Sequence, residues 1–159
     1  ALPAPDPHQV RRTVGLSLPQ AVRALLPDAD AAAQAALVEA YKAAFRAARA
    51  DGSLHEPLYP GIAALLRGLK ASGWVLGVAT GKSDRGLALT LAAHGLADLF
   101  DTLNTADRHP SKPHPAMLEA AMAATLAPPE ATVMIGDTVF DMAMAQAAGT
   151  HALGVDWGY

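Results

Sequence analysis

The sequence predicts an α/β fold in which a parallel β-sheet is covered by helices on both faces and preceded by a small helical part. Two observations predict it. Over the last two thirds of the chain, helical patterns alternate with short, almost wholly apolar runs of strand length, whereas the first third has helical periodicity alone. Strands buried on both faces read as continuous apolar runs, and parallel neighbours need crossover helices between them. We therefore expect a helical part over residues 1–54 and a sheet-containing part over residues 55–159.

The helical part contains two predicted helices. Prolines at alternating positions between residues 3 and 7 predict a loop or linker at the start of the chain. Ser17 and Gln20 have the spacing of a capping box and predict the start of a short helix. Residues 30–49 are rich in alanine and carry large apolar residues at helical spacing, which predicts a longer second helix.

The sheet-containing part should hold four strands and four helices. The strands are predicted at WVLGVAT, at DTLNTA (the weakest of the four), at ATVMIG and at HALGV. The helices are predicted at YPGIAALLRGLKASG, SDRGLALTLAAHG, HPAMLEAAMAAT and DTVFDMAMAQAAG, three of them closed by a glycine.

Composition excludes several classes of protein. A chain of 159 residues with 52% hydrophobic residues is long enough for one compact domain with a modest core. A formal net charge of -3 without a basic stripe argues against nucleic acid as a partner. No apolar run has the length of a membrane helix, no signal peptide is evident at the start, and cysteine is absent. These features predict a cytoplasmic protein that does not act at a membrane. We expect it to be a monomer or a homodimer.

Polar side chains follow three of the predicted strands. Thr80 and Gly81 follow the first strand, Lys112 lies in a proline-rich loop after the second, and Asp137 follows the third. Ligands of open parallel sheets bind beyond the carboxyl ends of the strands, so these groups are expected to share one edge. Thr80 and Gly81 could hold an anionic oxygen at a helix start, or Thr80 and Ser83 could simply end a strand and cap the next helix. Lys112 could place a charge over a phosphate, or be an ordinary solvated lysine.

Asp137 and Asp141 stand one helical turn apart in an otherwise apolar segment. Asp137 as the N-cap of the last helix is the simplest structural interpretation, but it leaves Asp141 as a repelling second carboxylate. A bound cation would relieve that repulsion. Mg²⁺, which often takes only one or two carboxylates together with water and phosphate, is the cation these residues predict.

Other site patterns are absent from the sequence. The six histidines show no HxH or HExxH spacing, so a zinc site is not expected, and neither GxSxG nor GxGxxG occurs. His109 and His114 flank Lys112 and could meet a substrate or have no role in the site.

In order along the chain, the segments VLGVATGKS, SKPHPAMLEAA and VMIGDTVFDMAMAQAAG resemble the haloacid dehalogenase superfamily, and within it the phosphoglycolate phosphatase-like members with a helical cap. The resemblance covers essentially the whole chain. It implies a three-layer Rossmann-like core with a small all-helical cap, and a Mg²⁺-dependent phosphatase acting on a small phosphorylated metabolite.

The resemblance also implies a role for each candidate residue. Thr80 and the amide of Gly81 would bind the transferring phosphoryl group, and Lys112 would neutralise charge on it and on the nucleophile. Asp137 would ligate Mg²⁺, and Asp141 would ligate the ion or orient its water. Members of the superfamily form a covalent aspartyl phosphate, which divides hydrolysis of the ester into two displacements.

One expected motif has no match. The superfamily's first motif is an apolar strand ending in DxDGT, which supplies the nucleophile, and Asp6 has neither a strand before it nor an aspartate two residues later. The resemblance places that motif upstream of Ala1, on a central strand between those ending at Thr80 and Asp137, and the end at GVDWGY also looks early. On this expectation the sequence is a fragment that does not hydrolyse a substrate by itself.

Other functions remain open from the sequence. Within the superfamily the alternatives are a phosphomutase, a pyrophosphatase or a dehalogenase, the last of which works without metal. A signalling receiver domain also combines aspartate, threonine and a Lys-Pro pair, but its acidic pair comes first in the chain, whereas Asp137 and Asp141 come last. A pseudoenzyme or binding scaffold without a nucleophile is the remaining alternative.

Overall fold

A computed structural model describes residues 4–158 and contains seven α-helices and four β-strands in that range. The helices are α1 Pro7–Arg12, α2 Leu18–Leu25, α3 Ala31–Ala50, α4 Ile62–Ala71, α5 Asp84–Ala93, α6 Ala116–Thr125 and α7 Val139–Ala147. The strands are β1 Gly77–Thr80, β2 Thr102–Thr105, β3 Val133–Gly136 and β4 His151–Gly154. Within the described range no helix combines the length and the apolarity that crossing a bilayer requires.

The prediction of a loop throughout the first residues was wrong at Pro7. Helix α1 begins there, with Asp6 as its N-cap accepting a hydrogen bond from the His8 amide (3.0 Å). A proline at the first helical position loses no hydrogen bond, because that amide has no partner within the helix, and its fixed φ suits the helix start. Pro3 lies outside the described residues.

The strands pair in parallel, as predicted, but in two separate ladders. β1 pairs with β2, with Thr80 opposite Thr105, and β3 pairs with β4, with Gly136 opposite Gly154. Within residues 4–158 no ladder joins β1 to β3. This is the position at which the resemblance places a further strand.

Strand β1 is shorter than the apolar run WVLGVAT that predicts it. The backbone N–H of Leu76 donates to the carboxylate of Asp101 (2.9 Å), which also accepts from the ammonium of Lys70. The ladder with β2 therefore starts one residue later, at Gly77. Trp74 and Val75, which precede it, are exposed.

Two apolar clusters hold the helices against the strands. The first centres on α6 and α7, with Met117 and Met144 fully buried, and Ala79 of β1 and Met134 of β3 both pack against it. The second joins α5 to the other face of the β1–β2 pair; its buried members are Leu87, Leu91 and Leu96. Because β1 and β3 contact the same cluster, both ladders pack against the helix pair α6 and α7.

Candidate active site

The loop after β1 carries the first two predicted site residues. The hydroxyl of Thr80 accepts a hydrogen bond from the Lys82 amide (3.2 Å), which folds the loop back towards the strand end. Ser83 then caps α5 by accepting from the Gly86 amide (3.1 Å). The sequence offered anion binding and helix capping as alternatives for this loop. Ser83, not Thr80, is the cap of α5. Thr80 is the last residue of the strand and lies near the positive end of that helix.

Gly81 is in close contact with the helical part of the chain. A Cβ added at Gly81 would collide with the main-chain carbonyl of Leu16 and come within 3.2 Å of the carbonyl oxygen of Gly15. Backbone atoms cannot move aside as a flexible side chain can. The loop after β1 and residues 15–17 therefore fit together only because position 81 has no side chain.

Replacing Gly81 by alanine is expected to destabilise the chain by about 1–3 kcal/mol, the usual cost of overpacking a site that cannot relax. Gly68→Ala is the matched control, because a Cβ there meets nothing within 4 Å. Helix propensity favours that second change by up to about 1 kcal/mol. Urea unfolding followed by circular dichroism measures both, and equal midpoints for the two variants would contradict the close approach at Gly81.

Lys112 and Asp141 form a buried ion pair. The Lys112 ammonium lies 2.6 Å from Oδ1 of Asp141, and the two side chains are only 8% and 4% exposed. Long cationic side chains are rarely buried unless they are paired. The interpretation of Lys112 as a solvated loop residue is therefore excluded, and the pair fixes the loop after β2 to the first turn of α7.

The last helix is capped by Thr138, so the alternative interpretation of Asp137 as its N-cap was wrong. The Thr138 hydroxyl accepts from the Asp141 amide (3.3 Å), and Oδ2 of Asp141 accepts from the Thr138 amide (3.1 Å). This reciprocal arrangement is a capping box. One carboxylate oxygen of Asp141 thus accepts from the helix cap, and the other binds Lys112. Asp137 lies before the helix.

Asp137 is half-buried just after β3, and the C-terminal segment lies against it. A Cβ built on Gly158 would overlap the Asp137 carboxylate, so the backbone of that segment passes directly beside it. A cavity of about 440 Å³ opens next to it, lined also by Thr138 and Val155.

The donor set fits a hard divalent cation only in part. The carboxylate of Asp137 is of the type that Mg²⁺ takes, often one or two at a time. Asp141 already binds Lys112 and Thr138 through both of its oxygens. Within residues 4–158 no three acidic or histidine side chains converge as a metal cluster. The described residues therefore supply at most part of a Mg²⁺ site.

Residues 15–17 connect the three candidate loops, which the sequence did not predict. Leu16 contacts Gly81, and the Ser17 amide donates to the buried Ser111 hydroxyl (2.7 Å) beside Lys112. A Cβ added at Gly15 would lie 2.8 Å from the Thr138 hydroxyl, and its φ of +100° suits glycine. Ser17 is the N-cap of α2, as predicted, but its side chain makes no cap hydrogen bond, so the capping box with Gln20 does not form.

A second network joins the loop after β2 to the start of α5. Oδ1 of Asp84 accepts from the buried Thr105 hydroxyl (2.5 Å) and from the Arg108 guanidinium (3.0 Å). The Asp107 carboxylate accepts from the Asp84 amide (2.8 Å). The Thr105 hydrogen bond and the Arg108 charge lower the pKa of Asp84 below its ordinary value, although its partial desolvation opposes them. The network fixes the loops after β1 and β2 to each other.

The two histidines beside Lys112 differ in their surroundings. Nδ1 of the exposed His114 accepts from the Ala116 amide (3.2 Å), which supports the start of α6. His109 is half-buried, and its charge helps to lower the pKa of Asp84. His114 thus has a structural role at a helix start.

The described residues do not supply an aspartate of the expected first motif. Asp28 and Asp30 are two positions apart, but they follow a helix rather than a strand. Asp30 is the N-cap of α3 and accepts from the Ala33 amide (2.7 Å). Both side chains belong to residues exposed on the helical part.

The chain matches the model of the haloacid dehalogenase-like hydrolases over residues 1–155. It is 39% identical over 165 residues to the probable phosphatase IndB of Dickeya dadantii, covering 99% of this chain and 69% of that protein. It is 32% identical to a phosphoglycolate phosphatase of Nitrosococcus oceani, covering 99% of this chain and 72% of that protein.

A solved structure shows the same arrangement of elements. A Bacteroides fragilis protein described as a haloacid dehalogenase-like hydrolase superposes with a TM-score of 0.81 at 26% identity, covering 95% of this chain and 71% of that one. The α/β class with a Rossmann-like core and helical cap, predicted from the sequence, is thereby confirmed.

Proposed function

The chain belongs to the haloacid dehalogenase-like hydrolase family, and we propose that it forms most of a Mg²⁺-dependent phosphatase for a small phosphorylated metabolite. Hydrolysis of a phosphoric monoester follows from the family and from its two phosphatase relatives. The metal, the aspartyl-phosphate intermediate and a phosphoglycolate-like substrate are the finer parts of the proposal. The cap is assigned to residues 1–54 and the core to residues 55–159.

The buried Lys112–Asp141 pair is the observation that carries the proposal. Desolvating a lysine and an aspartate is costly, and such a pair contributes little net stability. A phosphatase has a use for a lysine held at one point beside the strand ends, because the transferring phosphoryl group carries charge on its equatorial oxygens. Asp141 would be a positioning residue that holds the ammonium in place.

Thr80 and Gly81 would bind the phosphoryl oxygens. The Thr80 hydroxyl can donate to an oxygen, the Gly81 amide can donate to another, and α5 directs its positive end to the same place. The absence of a side chain at Gly81 permits the close approach of residues 15–17. Those residues would exclude water from one side of the site.

Asp137 would hold Mg²⁺ together with a carboxylate that the described residues do not supply. The ion would screen the phosphoryl charge and fix the orientation of the ester. Asp137 stands beside the backbone of Gly158, which restricts the directions in which its carboxylate can turn.

The nucleophile would come from a strand that pairs with β1 on one side and β3 on the other. Both strands pack on the α6–α7 cluster, and each has one edge outside its ladder. An apolar strand ending in DxDGT would place its first aspartate between Thr80 and Asp137. That carboxylate would attack phosphorus and displace the alcohol, and water would then release phosphate from the aspartyl phosphate.

The test joins residues 1–159 to an N-terminal extension containing such a strand. We expect this extended chain to release inorganic phosphate from p-nitrophenyl phosphate only when Mg²⁺ is present. The matched control changes the first aspartate of the extension to asparagine. Phosphate release at the same rate by that control, or without metal, would contradict the proposed mechanism.

Comparing kcat/KM over a panel of substrates then identifies the class of metabolite. The relative from Nitrosococcus oceani is named for phosphoglycolate, so 2-phosphoglycolate is expected to be turned over with a higher kcat/KM than a sugar phosphate, pyrophosphate or a haloacid. Preference for pyrophosphate, or halide release without metal, would favour the other activities of the superfamily.

A further inference from the structure

Glu56 lies between two cations that belong to different parts of the chain. One carboxylate oxygen is 2.5 Å from Nη2 of Arg49 at the end of α3, and the other is 2.5 Å from the ammonium of Lys82 in the loop after β1. The Glu56 side chain is 24% exposed and the cations are 27% and 39% exposed. The carboxylate thus bridges the helical part and the core at a half-buried position.

An aromatic ring completes this group. The guanidinium of Arg49 lies 5.6 Å from the centroid of the Phe45 ring, and the Lys82 ammonium lies 5.8 Å from it. Cations within about 6 Å of an aromatic face are attracted to it. We call Phe45, Arg49, Glu56 and Lys82 the Glu56 clasp.

The main chain of Glu56 is fixed as well. Its carbonyl oxygen is 2.8 Å from Nε2 of His94, the C-cap of α5, while its side chain reaches Lys82 just before the start of that helix. Burial alone would raise the pKa of Glu56, but Lys82 and Arg49 outweigh it and lower that pKa below its ordinary value. The carboxylate is therefore ionised at neutral pH, and the clasp is charged.

The clasp joins elements that are not otherwise packed closely together. Among the helices and strands, α3 has its extensive contacts with α2. Lys82 is two residues from Thr80, whose hydroxyl accepts from the Lys82 amide. Through Glu56, the end of α3 is therefore linked to the loop that follows Thr80.

We propose that Glu56 is a positioning residue, which sets the loop of residues 80–83 against helix α3 by holding Lys82 and Arg49 on one carboxylate. The ionic link between the two parts does not depend on the proposed function, which enters only in assigning that loop to phosphate. Added salt screens half-exposed ion pairs, so the link weakens as ionic strength rises.

Hydrogen exchange of residues 1–159 tests this directly. Glu56→Gln keeps the size and removes the charge, and we expect amide exchange to accelerate about three- to tenfold at residues 81–83 and 46–50, while β3 and β4 keep their rates. The matched control is Glu39→Gln. Glu39, like Glu56, pairs with a lysine, but its partner Lys42 lies in the same helix, α3, and the pair is exposed. The control should leave residues 81–83 unchanged.

Salt separates positioning from a general loss of stability. Raising NaCl from about 0.05 M to 1 M should accelerate exchange at residues 81–83 in the parent chain and have little effect on that loop in Glu56→Gln. Lys82→Met should reproduce the Glu56→Gln effect at residues 81–83, and combining the two should add little. Uniform acceleration over the whole chain in Glu56→Gln, or an unchanged loop, would overturn the proposal even if phosphatase activity were found.

Discussion

Replacing Lys112 by methionine is expected to destabilise the fold by about 3–5 kcal/mol, the usual cost of removing one partner of a buried ion pair. Methionine fills similar volume, so the cost arises because the Asp141 carboxylate is left buried without its cation. Asp141→Asn should also lower the free energy of unfolding, because it leaves the Lys112 ammonium buried without a carboxylate. The amide oxygen can still accept from Thr138. Urea unfolding by circular dichroism measures each variant.

The double variant separates the pair from its surroundings. Lys112→Met combined with Asp141→Asn removes both charges, so its cost should fall short of the sum of the single costs by about 2 kcal/mol. Strictly additive costs would show that Lys112 and Asp141 do not interact in solution. That result would also remove the main support for a lysine held in place over a phosphoryl group.

Adding the proposed strand is expected to slow amide exchange at the outward-facing positions of β1 and β3 about 100-fold or more. In the described residues these amides face away from the ladders with β2 and β4, and unpaired strand edges are a ready template for another strand. Exchange measured by mass spectrometry on the extended chain and on residues 1–159 gives the comparison.

A control extension shows whether the slower amide exchange in β1 and β3 requires the apolar strand. An extension of equal length and composition, scrambled so that its apolar run is broken, should leave β1 and β3 unprotected. The amides within the β1–β2 ladder serve as internal references. Equal protection by both extensions, or none by either, would show that the gap between β1 and β3 does not receive this strand.

Much of the fold could be predicted because its strands are short apolar runs separated by clear helix ends. All four strands and the helices between them occur where the periodicity places them. The wrong predictions concern helix starts, which depend on neighbouring residues. Thr138 caps α7 in place of Asp137, and Pro7 starts a helix because a proline at the first position of a helix costs nothing there.

The candidate site could be predicted only as a set of loops. Residues following parallel strands share an edge by topology, which is why Thr80, Lys112 and Asp137 could be selected from the sequence. The pairing of Lys112 with Asp141 across 29 residues depends on how a loop sits against α7, which no local pattern encodes. The roles of these residues in catalysis stay predictions.

The contacts from the helical part were not predictable for the same reason. Residues 15–17 contact the loops after β1 and β2 and the start of α7, and Glu56 joins α3 to Lys82. A glycine and a serine before a helix, or a glutamate in a connection, carry no local signal of such distant partners. Their importance emerges from the packing of the helical part on the core.

The placement of Mg²⁺ at Asp137 is tested by the rate of Mg²⁺-dependent phosphate release by the extended chain with and without Asp137→Ala. We expect at least about a 100-fold lower kcat/KM in the variant, because a charge-stabilising group at the transition state is lost. Asp98→Ala, which removes an exposed aspartate in the connection between α5 and β2, should leave the rate unchanged. Unchanged turnover in Asp137→Ala would contradict the placement of the metal at this residue.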